Sequence, residues 1–283
     1  MKKINLPDVI DTMYLDLLAE NNRLHETSYP YLCNELEEIK KAYTHYASCQ
    51  GNPWSIVKPP ISPELEKGLK AHYNAPPVSL DYIERLRESS PDVCPMCGGF
   101  YPSTLDHFLP KSEYKAWAIY SGNLVPACDC NSKRGTALCG EFSTQERVLH
   151  PYFDDILAER QLTCCIDIEK LTAGLGYVNP THPCIASIKF HVKNIVLKSG
   201  VNLWLRSQLS KLYERPSNVI HTLPRKRTVS TDYVVDALED SLERNDENYG
   251  TPNNWTSIFM HGLLSCMDTP VWITHRHNQT LVT

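Results

Sequence analysis

Cys94-Pro-Met-Cys97, Leu105-Asp106-His107, Gly122-Asn123-Leu124-Val125-Pro126 and Cys128-Asp129-Cys130-Asn131-Ser132-Lys133-Arg134-Gly135 follow one another within one short run of the chain. Two chemistries interleave there. The thiolates can build a structural zinc clamp, and the Asp, His and Asn can build a hydrolytic metal site held by that clamp. Few ordinary folds need both so close together.

Zinc prefers four tetrahedral ligands, and a short knuckle supplies two thiolates from each side. Cys94 and Cys97 have knuckle spacing, with Gly98-Gly99 behind them to turn the chain. Cys128 and Cys130 form the second pair, one residue shorter than the common CxxC, and Cys139 stands close enough to substitute. Reduced, buried cysteines packing as small hydrophobes are the alternative. The hydrolytic half needs a hard divalent cation, which favours oxygen donors such as Asp106 and Asn131. It also needs a general base, and histidine titrates near neutral pH. The base needs a partner on its other ring nitrogen, which Asn123 could supply directly or through its backbone.

At this point the stretch resembles the HNH endonucleases, whose fold is a β-hairpin followed by a helix around one metal ion. The likeness runs from Cys94 to Gly135, through "LDHFLPKSEY" and "NLVPACDCNSKRG". It implies Asp106 as a metal ligand, His107 as the general base, Asn123 as the residue that orients the base, and Asn131 as the last metal ligand. It implies Mg²⁺ or Mn²⁺ at the catalytic centre and Zn²⁺ on Cys94, Cys97, Cys128 and Cys130. Lys133 or Arg134 would face the scissile phosphate. The CxC, where the family has CxxC, leaves the fourth zinc ligand open between Cys128 and Cys139. Further out, "ERVLHPYFDDI" (146–156) and "NNWTSIFMHGLL" (253–264) look like the larger HNH proteins of bacterial anti-phage systems such as Septu and related retron operons. There the nuclease works beside an SMC-like ATPase. The expectation is a DNA endonuclease acting as a defence effector. An RNA (tRNA) endonuclease of the same fold and a non-catalytic zinc-ribbon nucleic-acid-binding module are the alternatives.

Composition agrees. The 283 residues carry eleven cysteines. The count is odd, and "MKKINLPDVID" lacks a signal-peptide core, which favours a reducing cytoplasm and metal-bound thiols. No apolar run reaches the length of a membrane span. The net charge of −5 hides a dipole: Ile185 to Ser230 holds nine Lys or Arg against Glu214, and Thr231 to Gly250 holds seven acids against Arg244. Phosphate contacts depend on the local patch, so Lys189, Lys193, Arg206 and Arg225-Lys226-Arg227 are candidate nucleic-acid contacts. No P-loop is present, so any ATP dependence must come from another chain.

The chain reads as α+β, mostly helical, with the zinc-clamped ββα-metal core embedded near the middle. Residues 1–91 form a helical region, 92–150 the nuclease core and 151–283 a helical region with the basic patch. Helix spacing over 7–48 places Val9, Met13, Leu17 and Leu18 on one face, and Leu36, Ile39 and Tyr43 on another. Shorter helices follow at Pro63–Tyr73 and Leu80–Ser89, after a proline-rich break at 51–63. A strand is expected in "RQLTCCIDIEK", with Cys164-Cys165 as plain core. One long helix spans Pro183–Tyr213, with Ile188, Val192, Ile195 and Leu203 inward. Amphipathic helices follow at Ser230–Arg244 and Asn254–Ser265, and His275 and His277 sit on a frayed tail. His150 packs beside the site.

Overall fold

A computed structural model describes residues 1–25 and 27–281. Four helices precede the cysteine motif: α1 Asp11–Ala19, α2 Tyr31–Ser48, α3 Pro63–Asn74 and α4 Tyr82–Glu88. Local chemistry sets the start of α3. Ser62 accepts a hydrogen bond from the Leu65 N–H at 3.3 Å, and Pro63 occupies the first helical turn, where its missing N–H costs nothing. On α2, Ile39 and Tyr43 are buried as their spacing predicts. Helix α1 departs from its expected face. Leu15, Leu18 and Ala19 point inward, whereas Met13 and Leu17 are about half exposed. Apolar side chains surround most of this short helix, so periodicity alone does not select the buried side.

The motif itself forms a small antiparallel pair. Strand β1 (Thr104–His107) runs against β2 (Leu124–Ala127), with Asp106 opposite Val125 and His107 opposite Leu124. Pro126 is tolerated because the sheet has only two strands. The Leu105 carbonyl is taken up instead by the Tyr73 hydroxyl from α3. Helix α5 (Asp129–Arg134) follows β2 directly and stops at Gly135, whose φ is +65°. A second hairpin, β3 (Leu162–Asp167) and β4 (Thr172–Tyr177), lies further along. Strand alternation buries Cys164 and exposes Cys165, so only the first of that pair is core.

The single helix expected over Pro183–Tyr213 is broken. Helix α6 (Ile185–His191) continues as a π turn (Val192–Val196) and a 3₁₀ turn (Leu197–Ser199). Gly200 then takes φ +91°, and α7 (Val201–Glu214) starts afresh. The break resets the helical phase, which leaves Leu203 74 % exposed while Ile188, Val192 and Ile195 stay buried. Helix α8 (Thr231–Tyr249) is capped by Ser230, and α9 (Trp255–Ser265) by Asn254. The chain then forms α10 (Asp268–Gln279), which is docked rather than frayed. Its His277 is buried against the Arg227 carbonyl at 3.2 Å. Helix α9 crosses β3 at Gly262, where a Cβ would collide with Cys164.

Two hydrophobic clusters hold these elements. One joins α1–α4 to the motif through residues such as Leu32, Leu69, Trp117 and Leu124, and reaches Tyr152. The other gathers the second hairpin and α6–α10. The helices before residue 91 and the motif are thus packed as one body. Among the described residues, no helix is long and apolar enough to cross a membrane.

The α1 orientation is directly testable by urea unfolding. Leu18→Ala, in the core, should cost about 2–5 kcal/mol. Leu17→Ala, on the outer face, should change stability by no more than about 1 kcal/mol. Equal losses would mean the helix presents its other face.

Candidate functional site

The zinc half is built by two junctions. Around Cys94–Gly99 the chain makes a tight turn: Cys94 N–H donates to the Gly99 carbonyl (2.7 Å), and Gly98 N–H to the Cys94 carbonyl (2.8 Å). Gly98 takes φ +78°, a conformation side chains rarely adopt. Backbone N–H groups of Gly99 and Cys128 point at the sulfurs of Cys97 (3.4 Å) and Cys94 (3.5 Å). On the other side Cys128 sits at the N-cap of α5 and Cys130 in its first turn. This change from strand to helix lets a CxC present two thiols together. All four sulfurs lie within 4.8 Å of one another. Cys139 is not among them; it forms a bridge with Arg147 instead. The fourth position of the cluster therefore falls to Cys128.

Crowding has an electrostatic consequence. Contact with Cys128 pushes the Cys97 and Cys130 thiols well above their usual range, because neighbouring sulfurs resist ionising together. A divalent cation removes that conflict, and Zn²⁺ suits four thiolates. Two C-terminal residues that sequence reasoning did not single out grip the knuckle backbone. Trp255 donates to the Cys97 carbonyl at 3.0 Å, and His191 Nε2 bonds the Met96 carbonyl at 2.6 Å.

Beside the clamp, Asp106, His107 and Asn131 meet at a shallow pocket of about 240 Å³ shared with Lys111, Ser132 and Arg134. Asp106 accepts from its neighbour's backbone, His107 N–H (2.7 Å), and from Asn131 Nδ2 (2.9 Å). Burial pushes this carboxyl up, but hydrogen bonds involving His107 and Asn131 outweigh it and hold the group at about 2. It is an anion at any physiological pH. His107 Nε2 lies 2.9 Å from the Ala118 carbonyl. A carbonyl only accepts, so Nε2 carries the hydrogen and Nδ1 of the neutral ring keeps a lone pair. Nδ1 is 3.9 Å from Asp106 Oδ1, and the Tyr73 ring flanks the imidazole at 4.2 Å between centroids. The Asn131 Oδ1 atom is buried and has no hydrogen-bond partner among the described residues. An orphaned amide oxygen beside an ionised carboxylate is the donor set that a hard divalent cation takes.

The remaining candidates are placed as follows. Asn123 does not touch the imidazole. Its Oδ1 accepts from Leu109 N–H (2.7 Å) and from the Tyr46 hydroxyl (3.1 Å), and its Nδ2 donates to the Leu109 and Trp117 carbonyls. It thereby pins the loop that carries Ala118, so its hold on the base runs through the backbone. His150 completes this buried network. Its Nδ1 accepts from Tyr152 N–H, so Nε2–H faces the Tyr46 hydroxyl at 3.0 Å. Arg134 is a correction to the expected phosphate contact. It is 4 % exposed and donates to the His107 and Phe108 carbonyls (3.3 and 2.8 Å), bracing the end of β1. Lys133 faces outward, paired with Asp129 at 2.7 Å. Lys111 was not singled out by motif. It lies 4.1 Å over the Tyr73 ring, at the pocket.

Lys189, Lys193, Arg206, Arg225, Lys226 and Arg227 are all exposed. The π turn carrying Lys193 packs against α5, and Lys198 reaches the Lys133 carbonyl at 3.3 Å. Lys193 is in this way brought to the side of the pocket, while Arg225–Arg227 lie on a separate turn.

No protein-family model matches the chain. Protein ea31 of Escherichia phage lambda is 36 % identical over 207 residues, covering 66 % of this chain and 66 % of that protein. The match therefore spans a little under two thirds of the relative's length. No solved structure matches.

The sulfur cluster predicts which cysteines matter. Cys94→Ser, Cys97→Ser and Cys128→Ser should each lose bound zinc and lower the melting temperature, because structural zinc binding is folding free energy. Cys139→Ser should keep one zinc per chain. Thiols must lose protons to bind, so zinc should be released as pH falls and retained as it rises. Elemental analysis across pH checks both statements; zinc loss in Cys139→Ser would contradict the assignment.

Proposed function

We propose that the chain is a metal-dependent endonuclease of the HNH class that hydrolyses phosphodiester bonds, with DNA as its first substrate. The observation that carries this reading is the convergence of an ionised carboxylate (Asp106), an orphaned amide oxygen (Asn131) and a tautomer-fixed imidazole (His107) on one pocket. The β1–β2 hairpin followed by α5 supports it, since a hairpin and helix holding the cysteine clamp is the arrangement the ββα-metal class would use.

Each residue has a separable task. Asp106 and Asn131 would hold Mg²⁺ or Mn²⁺, which when bound polarises the phosphate and neutralises charge developing on the leaving oxygen. His107 Nδ1 takes the proton from the attacking water. The Ala118 carbonyl keeps the ring oriented and stabilises the imidazolium that results. Arg134 stays cationic although burial pushes it down to about 10, and it fixes the carbonyls of His107 and Phe108. Lys111 and Lys133 are the cations nearest the pocket able to meet a phosphate. Within this reading Zn²⁺ on the four cysteines is structural.

The likeness of segments 146–156 and 253–264 to anti-phage HNH proteins supports an effector role beside a separate ATPase. In this chain those segments do structural work. Arg147 grips Asp154 with two bonds at 2.7 and 2.6 Å, and the Asn253 side chain bonds the backbone of Leu157, Glu159 and Gln161.

Purified zinc-loaded protein should nick or linearise supercoiled plasmid with Mg²⁺ or Mn²⁺. His107→Ala should lower the rate by about 10²–10⁴-fold while keeping its zinc and melting temperature. Equal cutting by both proteins would sink the mechanism. Cleavage of RNA with an inert plasmid would redirect the substrate.

A further inference from the structure

A second cavity, of about 390 Å³, lies away from the metal site among α7, α8, α9 and the 218–222 loop. That volume is in the range of small-molecule sites. One side is aromatic: Trp204 and Phe259 line it, with Tyr249 beside them. The other side is polar in an unusual way. Gln208, Asn218, His221 and Asn248 converge from two helices and the loop, and none of their side chains has a hydrogen-bond partner among the described residues. The Trp204 indole N–H is likewise uncommitted, although its ring packs 5.8 Å from Trp255.

The lining narrows the ligand. It holds no carboxylate and no thiol, so it is not built for a metal ion. Its one arginine, Arg244, is already paired with Asp240 at 3.0 Å, so it does not present a free polyphosphate clamp. Amides that offer donor and acceptor together beside an aromatic wall match the edge and the face of a nucleobase. The loop that supplies Asn218 and His221 leads directly to the exposed Arg225-Lys226-Arg227, which can meet a phosphate attached to that base.

We propose that this cavity is a nucleobase-binding site. The base could belong to a free nucleoside monophosphate or to a nucleotide within a single strand; the recognition chemistry is shared. The site lies outside the residues assigned to cleavage and does not rest on the nuclease reading.

The test is calorimetric titration of the full-length, zinc-loaded protein in buffer without Mg²⁺. One arm uses AMP, GMP, CMP and UMP; the other uses short single-stranded homopolymers of DNA. The expected result is saturable binding at one site per chain with a preference among bases, weakened about tenfold or more in Gln208→Ala and in Asn248→Ala, and unchanged in Asp106→Ala. Neither side chain has a structural partner, so both variants should fold; Asn218→Ala on the loop is an independent third. Binding of mononucleotides identifies a free ligand, and binding of strands alone identifies a base within nucleic acid. No saturable binding in either arm, or binding that survives all three cavity variants, overturns the proposal.

Discussion

Four sulfurs within 4.8 Å of one another are the constraint on which the rest of the site depends. They tie the 94–99 turn to the point where β2 becomes α5, and that point decides where Asn131 lies relative to Asp106. Structural zinc binding in small peptides releases about 10–16 kcal/mol, as much as the whole stability of an ordinary domain, about 5–15 kcal/mol. A hairpin of two four-residue strands is marginal alone. Closing it with a metal, and burying it against α3 and the C-terminal helices, makes it rigid enough to hold side chains in register. The Trp255 and His191 contacts carry the same constraint across to the second hydrophobic cluster.

A second layer of order comes from buried polar groups that are satisfied by each other. The path from His150 through Tyr46 to Asn123 lies in the core, and Asn123 uses its amide to close the loop between the strands. Burial drives His150 to its neutral form, which keeps the proton on Nε2 where Tyr46 needs it. A single unpartnered member of such a network would cost about 1–3 kcal/mol, so the satisfied state specifies one loop geometry. That geometry places the Ala118 carbonyl under His107. The contrast with Asn131 is informative: the amide oxygen left unpaired is the one beside the carboxylate, at the pocket.

Much of this was legible from residue order. The cysteine spacing, the hairpin carrying Asp106-His107, the helix holding Asn131 and the start of α3 all follow from local patterns, and local patterns are what a sequence states openly. The misses have a common origin in tertiary packing. Nothing local tells that Arg134 folds under α5 to cap the end of β1, or that α1 buries Leu15 rather than Leu17. The break at Gly200 was available as a glycine signal, but an apolar pattern running across it concealed the change of phase. His191 and Trp255 were out of reach, because their partners lie about a hundred residues or more away. The cavity beside Trp204 is the same kind of case, since each lining residue is ordinary within its own element.

The central claim is that Asp106 and Asn131 hold a hard cation distinct from the zinc. It is tested most directly by electron paramagnetic resonance of Mn²⁺ added to the zinc-loaded protein, comparing the wild type with Asp106→Ala. The account predicts one bound Mn²⁺ per chain in the wild type, absent in Asp106→Ala, with zinc content equal in both. Mn²⁺ binding that is indistinguishable between the two proteins would contradict it.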